Sequence, residues 1–299
     1  MKILLTGPTG FIGSNFVRQA LARGHQVAGL ALPSEALPTN LPAHKDLVWL
    51  RGTLEEAPWK EIAAFGADVC IHMAWITTPG VYLESPENFR LLESSLNFLA
   101  RVRELGTNHI IGFGTCVEYQ ISHEPLSEEK TPVAPATPYA RCKNDLRLAL
   151  EAEAKTGGLQ FCWARVFYPY GPGEHPSRLC SSIIQKLSRD EKIVLRTPDS
   201  TKDYIYIDDL AVALLTVMEK KFGGVINLGT GIGVTVKEVA HSLATMMGKP
   251  GLISEIDPPE IDPLGYVVAD ASRLRGLGWR PAHTVAQGLQ KLYLAQSQK

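Results

Sequence analysis

The chain has 299 residues, 45% hydrophobic and 20% charged, enough to bury one large core or two modest ones. Its formal charge of -1 supplies no single-signed field for a phosphodiester backbone or an anionic bilayer, so neither nucleic acid nor membrane is expected as a partner. The five cysteines, Cys70, Cys116, Cys142, Cys162 and Cys180, contain no C-x-x-C pair and read as reduced thiols of a cytoplasmic protein. No Cys/His/Asp spacing suggests a metal site, and the opening residues run from Met1 into an apolar strand rather than a leader peptide.

The first strand, Lys2–Thr6, leads into Gly7-Pro8-Thr9-Gly10-Phe11-Ile12-Gly13 and then an amphipathic segment, 14–23, closed by Gly24. Strand, glycine turn and helix in that order form a dinucleotide cradle, because glycine admits the tight turn and lets a pyrophosphate reach the amides of a helix N-terminus. The second strand, Gln26–Ala31, ends on Ala31, where an acid commonly grips the adenosine ribose, and Ser34 follows. With no acid there to repel a 2′-phosphate, NADP(H) is favoured over NAD(H), although Glu35 works in the opposite direction.

Further strands are expected over 69–73, 110–114 and Gln160–Val166. A helix precedes the last of them, with Thr137 as N-cap, Pro138 at its first position and Gly157-Gly158 as its stop. The alternation predicts an α/β fold, a Rossmann-type doubly wound parallel sheet. After Val166 the rhythm breaks at Y-P-Y-G-P-G, which marks a smaller C-terminal substrate-binding lobe. The dinucleotide domain is accordingly expected over 1–166, rejoined by about 203–229, with 167–299 forming most of the second lobe.

Tyr139 and Lys143 lie one helical turn apart on one face. Alone, such a pair is ordinarily solvated. Here it follows a strand that delivers Thr115 at its carboxyl end, where α/β proteins bind ligands. An adjacent ammonium favours phenolate, so Lys143 is expected to bring the Tyr139 pKa down, Tyr139 to act as general acid or base, and Thr115 to hold the substrate oxygen. His72, inside an apolar strand, is expected to be a hydrogen-bonded core residue.

These elements resemble the extended short-chain dehydrogenase/reductases of the NAD-dependent epimerase/dehydratase group. The matching segments are T-G-x-x-G-F-I-G from Thr6, D-V-C-I-H-M-A ending at Ala74, Thr115, Tyr139-x-x-x-Lys143, R-x-F-x-x-Y-G-P from Arg165, D-Y-I-Y-I-D-D-L-A from Asp203, N-L-G-T-G from Asn227 and L-G-W-R-P from Leu277. The resemblance implies a nucleoside-diphosphate sugar as substrate and a homodimer, built on helices near 84–105 and 138–155. It also implies that Ala74 and Phe167 join the glycine turn, Tyr139 and Lys143 around the cofactor.

Departures from the family pattern narrow the chemistry. Dehydratases of the group resemble one another in placing Asp and Glu after the active-site Thr, whereas this chain has Cys116 and Val117, so 4,6-dehydration is not expected. Tyr168 stands where an Asn is usual, Lys202 where an Arg is usual, and Thr53 where an Asp commonly meets the adenine. Thr77, Thr78, Tyr168, Arg178 and Lys202 remain candidate substrate contacts, with loop capping or surface charge as the plainer reading of each. The leading expectation is NAD(P)-dependent reduction of the C4 ketone of a nucleoside-diphosphate 6-deoxy-4-keto sugar. The alternatives are a 4-epimerase with tightly held NAD and a non-catalytic dinucleotide sensor.

Overall fold

The structure is a computed structural model that describes residues 1–41 and 43–297. Two compact units are present, one made of Met1–Glu118, Val133–Arg165 and Ala211–Ile226, the other of Tyr119–Pro132, Val166–Leu210 and the chain from Asn227 onward.

In chain order the elements of the first unit are β1 (Lys2–Thr6), α1 (Phe11–Ala22), β2 (Gln26–Ala31), β3 (Leu47–Arg51), α2 (Trp59–Phe65), β4 (Val69–His72), α3 (Glu87–Glu104), β5 (His109–Thr115), a 3-10 turn over Cys116–Glu118, α4 (Pro138–Thr156) and β6 (Gln160–Val166). After β7 (Tyr168–Tyr170), α5 (Leu179–Ser188), β8 (Ile193–Leu195) and β9 (Thr201–Tyr206), the chain adds α6 (Ile207–Glu219) and β10 (Gly224–Leu228). The seven-stranded sheet has the order β10-β6-β5-β4-β1-β2-β3. Leu4 pairs with Ala28 on one side and Cys70 on the other, both in parallel. The chain therefore winds outward from β1 through β2 and β3, then restarts at β4 on the other side. That reversal opens the topological switch point at the carboxyl ends of β1 and β4, where α/β sheets bind ligands.

The sheet is covered on both faces, which is why its strands are apolar runs rather than alternating ones. Phe98, Leu99 and Val102 of α3 and Leu146 and Leu150 of α4 pack with Leu4, Cys70, Ile110 and Trp163, each burial contributing about 1.5–3 kcal/mol. Two element boundaries differ from expectation for local reasons. β4 stops at His72, before Met73, where Thr6 Oγ1 accepts from the Met73 and Ala74 amides at 3.1 Å each and the Ala74 amide is thereby given to a side chain. α1 begins at Phe11 rather than Ser14, directly on Gly10, and carries no side-chain cap and no acid in its first turn.

In the second unit β9 is central, flanked antiparallel by β11 (Gly233–Thr235) and in parallel by β7 and β13 (Tyr266–Val267). The remaining elements are α7 (Val236–Met246), a 3-10 turn over Pro250–Leu252, β12 (Ile253–Glu255), which pairs with β8, α8 (Ser272–Gly276) and α9 (Val285–Ser297). Buried Asp203 ties this unit together by accepting from Thr230 N and Oγ1, Gly231 N and Ala269 N. Among the described residues, no helix is long and apolar enough to cross a membrane.

Candidate active site

The glycine turn fits an anionic group. Gly7 has φ +71°, a conformation that favours glycine, and a Cβ there would sit 3.1 Å from Ala74 N. A Cβ at Gly13 would strike the Gly7 carbonyl, so α1 reaches this close to β1 only with glycine. At Gly10, by contrast, a Cβ would meet only Gly7 O, at 3.6 Å. The uncapped amides of Phe11, Ile12 and Gly13 thus face an open approach, and α1 offers its positive dipole end to a diphosphate.

At the ribose end Ala31 is buried and Ser34 exposed. The side chain given too little weight in the sequence is Glu35: its Oε1 accepts from Thr9 Oγ1 at 2.7 Å, and Arg51 Nη1 donates to the Leu32 and Glu35 carbonyls at 2.9 and 2.8 Å. A carboxylate therefore stands against the glycine turn after all, four residues beyond Ala31. The signal available in the sequence was the acid itself in a short loop after β2. Thr53 caps its own turn by accepting from Glu56 N at 2.9 Å.

Thr115 ends β5, and Tyr139 and Lys143 sit in the first turns of α4, whose N-cap Thr137 accepts from Ala140 N at 3.2 Å. The Thr115 hydroxyl stands close enough to the Tyr139 phenol to favour its ionised form. Both Tyr139 and Lys143 are buried. Burial pushes the Tyr139 phenol up, with Tyr82 and Glu118 adding to the rise and Thr115 opposing it. Burial likewise pulls Lys143 down to about 7, partly offset by Glu118. This corrects the expectation that Lys143 lowers Tyr139 here: desolvation disfavours phenolate and ammonium alike, and it outweighs their mutual attraction. The phenol stays protonated.

A buried acid underlies the pair. Glu118 accepts from Thr115 N at 2.7 Å, from Trp163 Nε1 at 3.1 Å and from Arg165 Nε at 2.8 Å. Above it, Lys143 Nζ lies 4.0 Å from the Trp75 ring centroid, and Tyr82 meets Tyr139 edge-on at 4.8 Å. His72 bridges Thr6 Oγ1 and Ser95 Oγ at 2.9 Å each. Because Thr6 Oγ1 already accepts two amides, its hydrogen goes to Nδ1, and Nε2 donates to Ser95. Burial holds His72 down to about 3. It is a neutral core residue, as expected.

The other candidates are dispersed. Thr77 and Thr78 are exposed, and the Thr78 carbonyl closes a turn by accepting from Val81 N and Tyr82 N at 3.1 Å each. Phe167, Tyr168, Arg178 and Lys202 belong to the second unit. Phe167 is buried against the Gly229 backbone, Arg178 sits exposed at the start of α5, and Lys202 is buried among Asp262, Ser200 Oγ and the Leu264 carbonyl. The Lys202 ammonium is thus committed within its own unit. Among the described residues, no group of His, Cys, Asp and Glu is arranged to hold a metal ion.

A parallel sheet whose switch point carries a glycine cradle and a Thr/Tyr/Lys trio defines an extended short-chain dehydrogenase/reductase fold. The chain belongs to the NAD dependent epimerase/dehydratase family, whose model matches residues 3–229. It is 27% identical to a UDP-glucose 4-epimerase of Corynebacterium glutamicum, covering 95% of this chain and 92% of that one. It is 25% identical to a dTDP-4-dehydro-6-deoxyglucose reductase of Escherichia coli, covering 97% and 96% respectively. The UDP-glucose 4-epimerase of Thermus thermophilus, solved in complex with NAD, superposes with a TM-score of 0.84 at 25% identity over 99% of this chain and 98% of that one.

Proposed function

We propose that this protein transfers hydride at C4 of the hexose of a nucleoside-diphosphate sugar, the net reaction being reduction of a 4-keto-6-deoxy sugar. The observation that carries the reading is the meeting of Thr115, at the carboxyl end of β5, with buried Tyr139, and Lys143 one turn along the same helix. Thr115 and Tyr139 would both reach one sugar oxygen, and Tyr139 gives it the proton. Lys143, when charged, donates to the nicotinamide ribose and favours the phenolate that Tyr139 leaves behind. When bound, the nicotinamide supplies the hydride. Cys116 and Val117 do not supply the acid and base that follow the active-site Thr in dehydratases, and the Glu118 carboxylate of the same turn is taken up by Thr115 N, Trp163 Nε1 and Arg165 Nε, which speaks against elimination.

Thr9 and the amides of the Gly7–Gly13 turn would hold the diphosphate, Ser34 and Glu35 the adenosine ribose, and Ala74 the nicotinamide side. Glu35 turns the cofactor preference towards NAD(H), against the expectation drawn from Ala31, because a 2′-phosphate beside that carboxylate is repelled. Thr53 spends its hydroxyl on its own turn and brings no carboxylate to the adenine, which suits a cofactor that exchanges each cycle. Among the candidate sugar contacts, the exposed Thr77 and Thr78 are freer than Lys202. A homodimer through α3 and α4 goes with this reading, and Phe89 and Leu148 are exposed on those helices at 59% and 47%.

The second reading, a 4-epimerase holding NAD, is favoured by the same Glu35. One experiment separates the two: a nucleoside-diphosphate 4-keto-6-deoxyhexose is incubated with NADH, and a nucleoside-diphosphate hexose alone with freshly purified protein. Reduction consumes NADH in step with the ketone. Epimerisation gives the C4 epimer from the second mixture with no added cofactor, and inertness in both overturns the C4 assignment.

A further inference from the structure

The geometry points to Trp75 as a positioning residue for Lys143: its indole face holds the ammonium in place, and Asn88 fixes the indole. The proposal rests on the reading of Lys143 as a ligand of the nicotinamide ribose.

Trp75 follows β4, where the family pattern ends at Ala74. Its ring centroid is 4.0 Å from Lys143 Nζ, well inside the distance at which a ring face attracts a cation. The indole cannot swing freely, because Nε1 donates to Asn88 Oδ1 at 2.8 Å. Asn88, with no exposure, in turn donates to the Tyr82 and Ser85 carbonyls at 2.7 and 2.8 Å. The same amide therefore secures the loop that presses Tyr82 edge-on against Tyr139. One buried Asn on α3 braces an aromatic cover over both members of the pair.

Lys143 needs that cover. It is buried, which works against its charge; Glu118, itself paired with Arg165, favours the ammonium, and the ammonium in turn disfavours a charged His72. Tyr139 is held protonated and His72 neutral across the ordinary pH range. Glu118 already meets three donors. The Trp75 π face at 4.0 Å is a further source of stabilisation for the ammonium, and in a desolvated setting it is worth about a tenfold to thirtyfold shift in the protonation equilibrium.

The test is the affinity for NAD measured by calorimetric titration from about pH 5 to about pH 9, roughly two units either side of the Lys143 pKa. The wild type, Trp75→Phe, Trp75→Leu and Lys143→Met are compared, each first shown to unfold cooperatively. An ammonium that donates to ribose makes affinity fall as pH rises through the pKa of the free site. Removing the ring lowers that pKa, so Trp75→Leu is expected to move the fall down by roughly one pH unit while Trp75→Phe, which keeps a ring face, restores most of it. Equal positions in Trp75→Leu and the wild type, with Lys143→Met abolishing the fall, would overturn the proposal and leave the role of Lys143 standing. A fall that persists in Lys143→Met belongs to another group, and it overturns that role and the proposal together.

Discussion

Replacing Glu118 by Gln changes almost nothing in volume and nearly everything in charge. The wild-type carboxylate has no exposure, its Arg165 partner only 2%, and its two oxygens take Thr115 N, Trp163 Nε1 and Arg165 Nε. In Glu118→Gln one oxygen becomes an NH2, a donor set among donors, and the buried guanidinium loses this counter-charge. Breaking such a pair by removing one partner costs about 3–5 kcal/mol, which at roughly 2–4 °C per kcal/mol lowers the midpoint by ~6–20 °C. Urea titration with an unchanged m-value and a thermal melt read the effect directly. Glu118→Gln/Arg165→Met should cost less than the sum of its single variants, by about 0.5–3 kcal/mol, since the second change removes the charge that the first strands. A Glu118→Gln protein within about 1 kcal/mol of wild type would refute the view that this pair is a buried, desolvated one.

Three further outcomes are expected. Tyr139→Phe removes the proton donor and should lower kcat by roughly 10²–10⁴ with cofactor affinity little changed; an unchanged single-turnover rate would take Tyr139 out of the reaction. Lys143 titrates at about 7 when folded against an ordinary 10.5, so the folded state binds fewer protons between those values and stability rises with pH across that window, with the burden complete below pH 7. Lys143→Met should therefore stabilise the protein near pH 6.5 by up to about 5 kcal/mol and flatten the slope between about pH 7 and 10, as read by urea midpoints at both ends. Glu35→Ala should raise NADPH affinity relative to NADH by on the order of tenfold, and an unaltered ratio in parallel titrations would place the ribose selector elsewhere.

The parts of this site that were legible in the sequence are those whose chemistry imposes local spacing. A cradle needs Gly7, Gly10 and Gly13 within one turn, and a phenol and an ammonium share a helix face only at the separation of Tyr139 and Lys143. The parallel sheet showed through because its strands, covered on both faces, are continuous apolar runs. Glu118 was not legible, because its partners lie 45 and 47 residues away and meet it only when β5 and β6 come together. Glu35 was underweighted because an acid was sought on the last residue of β2, whereas the loop after it turns back to Thr9. The behaviour of the Tyr139 phenol turned on burial, which spacing alone does not reveal.

Burial also explains why the acid beneath the pair needs its own cation. A lone carboxylate at Glu118 would help Lys143 keep its proton and at the same time hold the proton on Tyr139, and both effects appear in the shifts of these groups. On the proposed reading the first serves Lys143, which binds ribose as an ammonium, while the second resists the step in which the phenol would give its proton away. Arg165, bonded to the far oxygen at 2.8 Å, draws off part of that field while Oε2 also takes the Trp163 NH and the opposite oxygen locks the Thr115 backbone. Removing the guanidinium alone should therefore slow proton donation more than it weakens cofactor binding. In Arg165→Met, pre-steady-state measurement should show the proton-coupled step slowed and NADH affinity retained, and equal losses in both would mean that the pair acts only as scaffold.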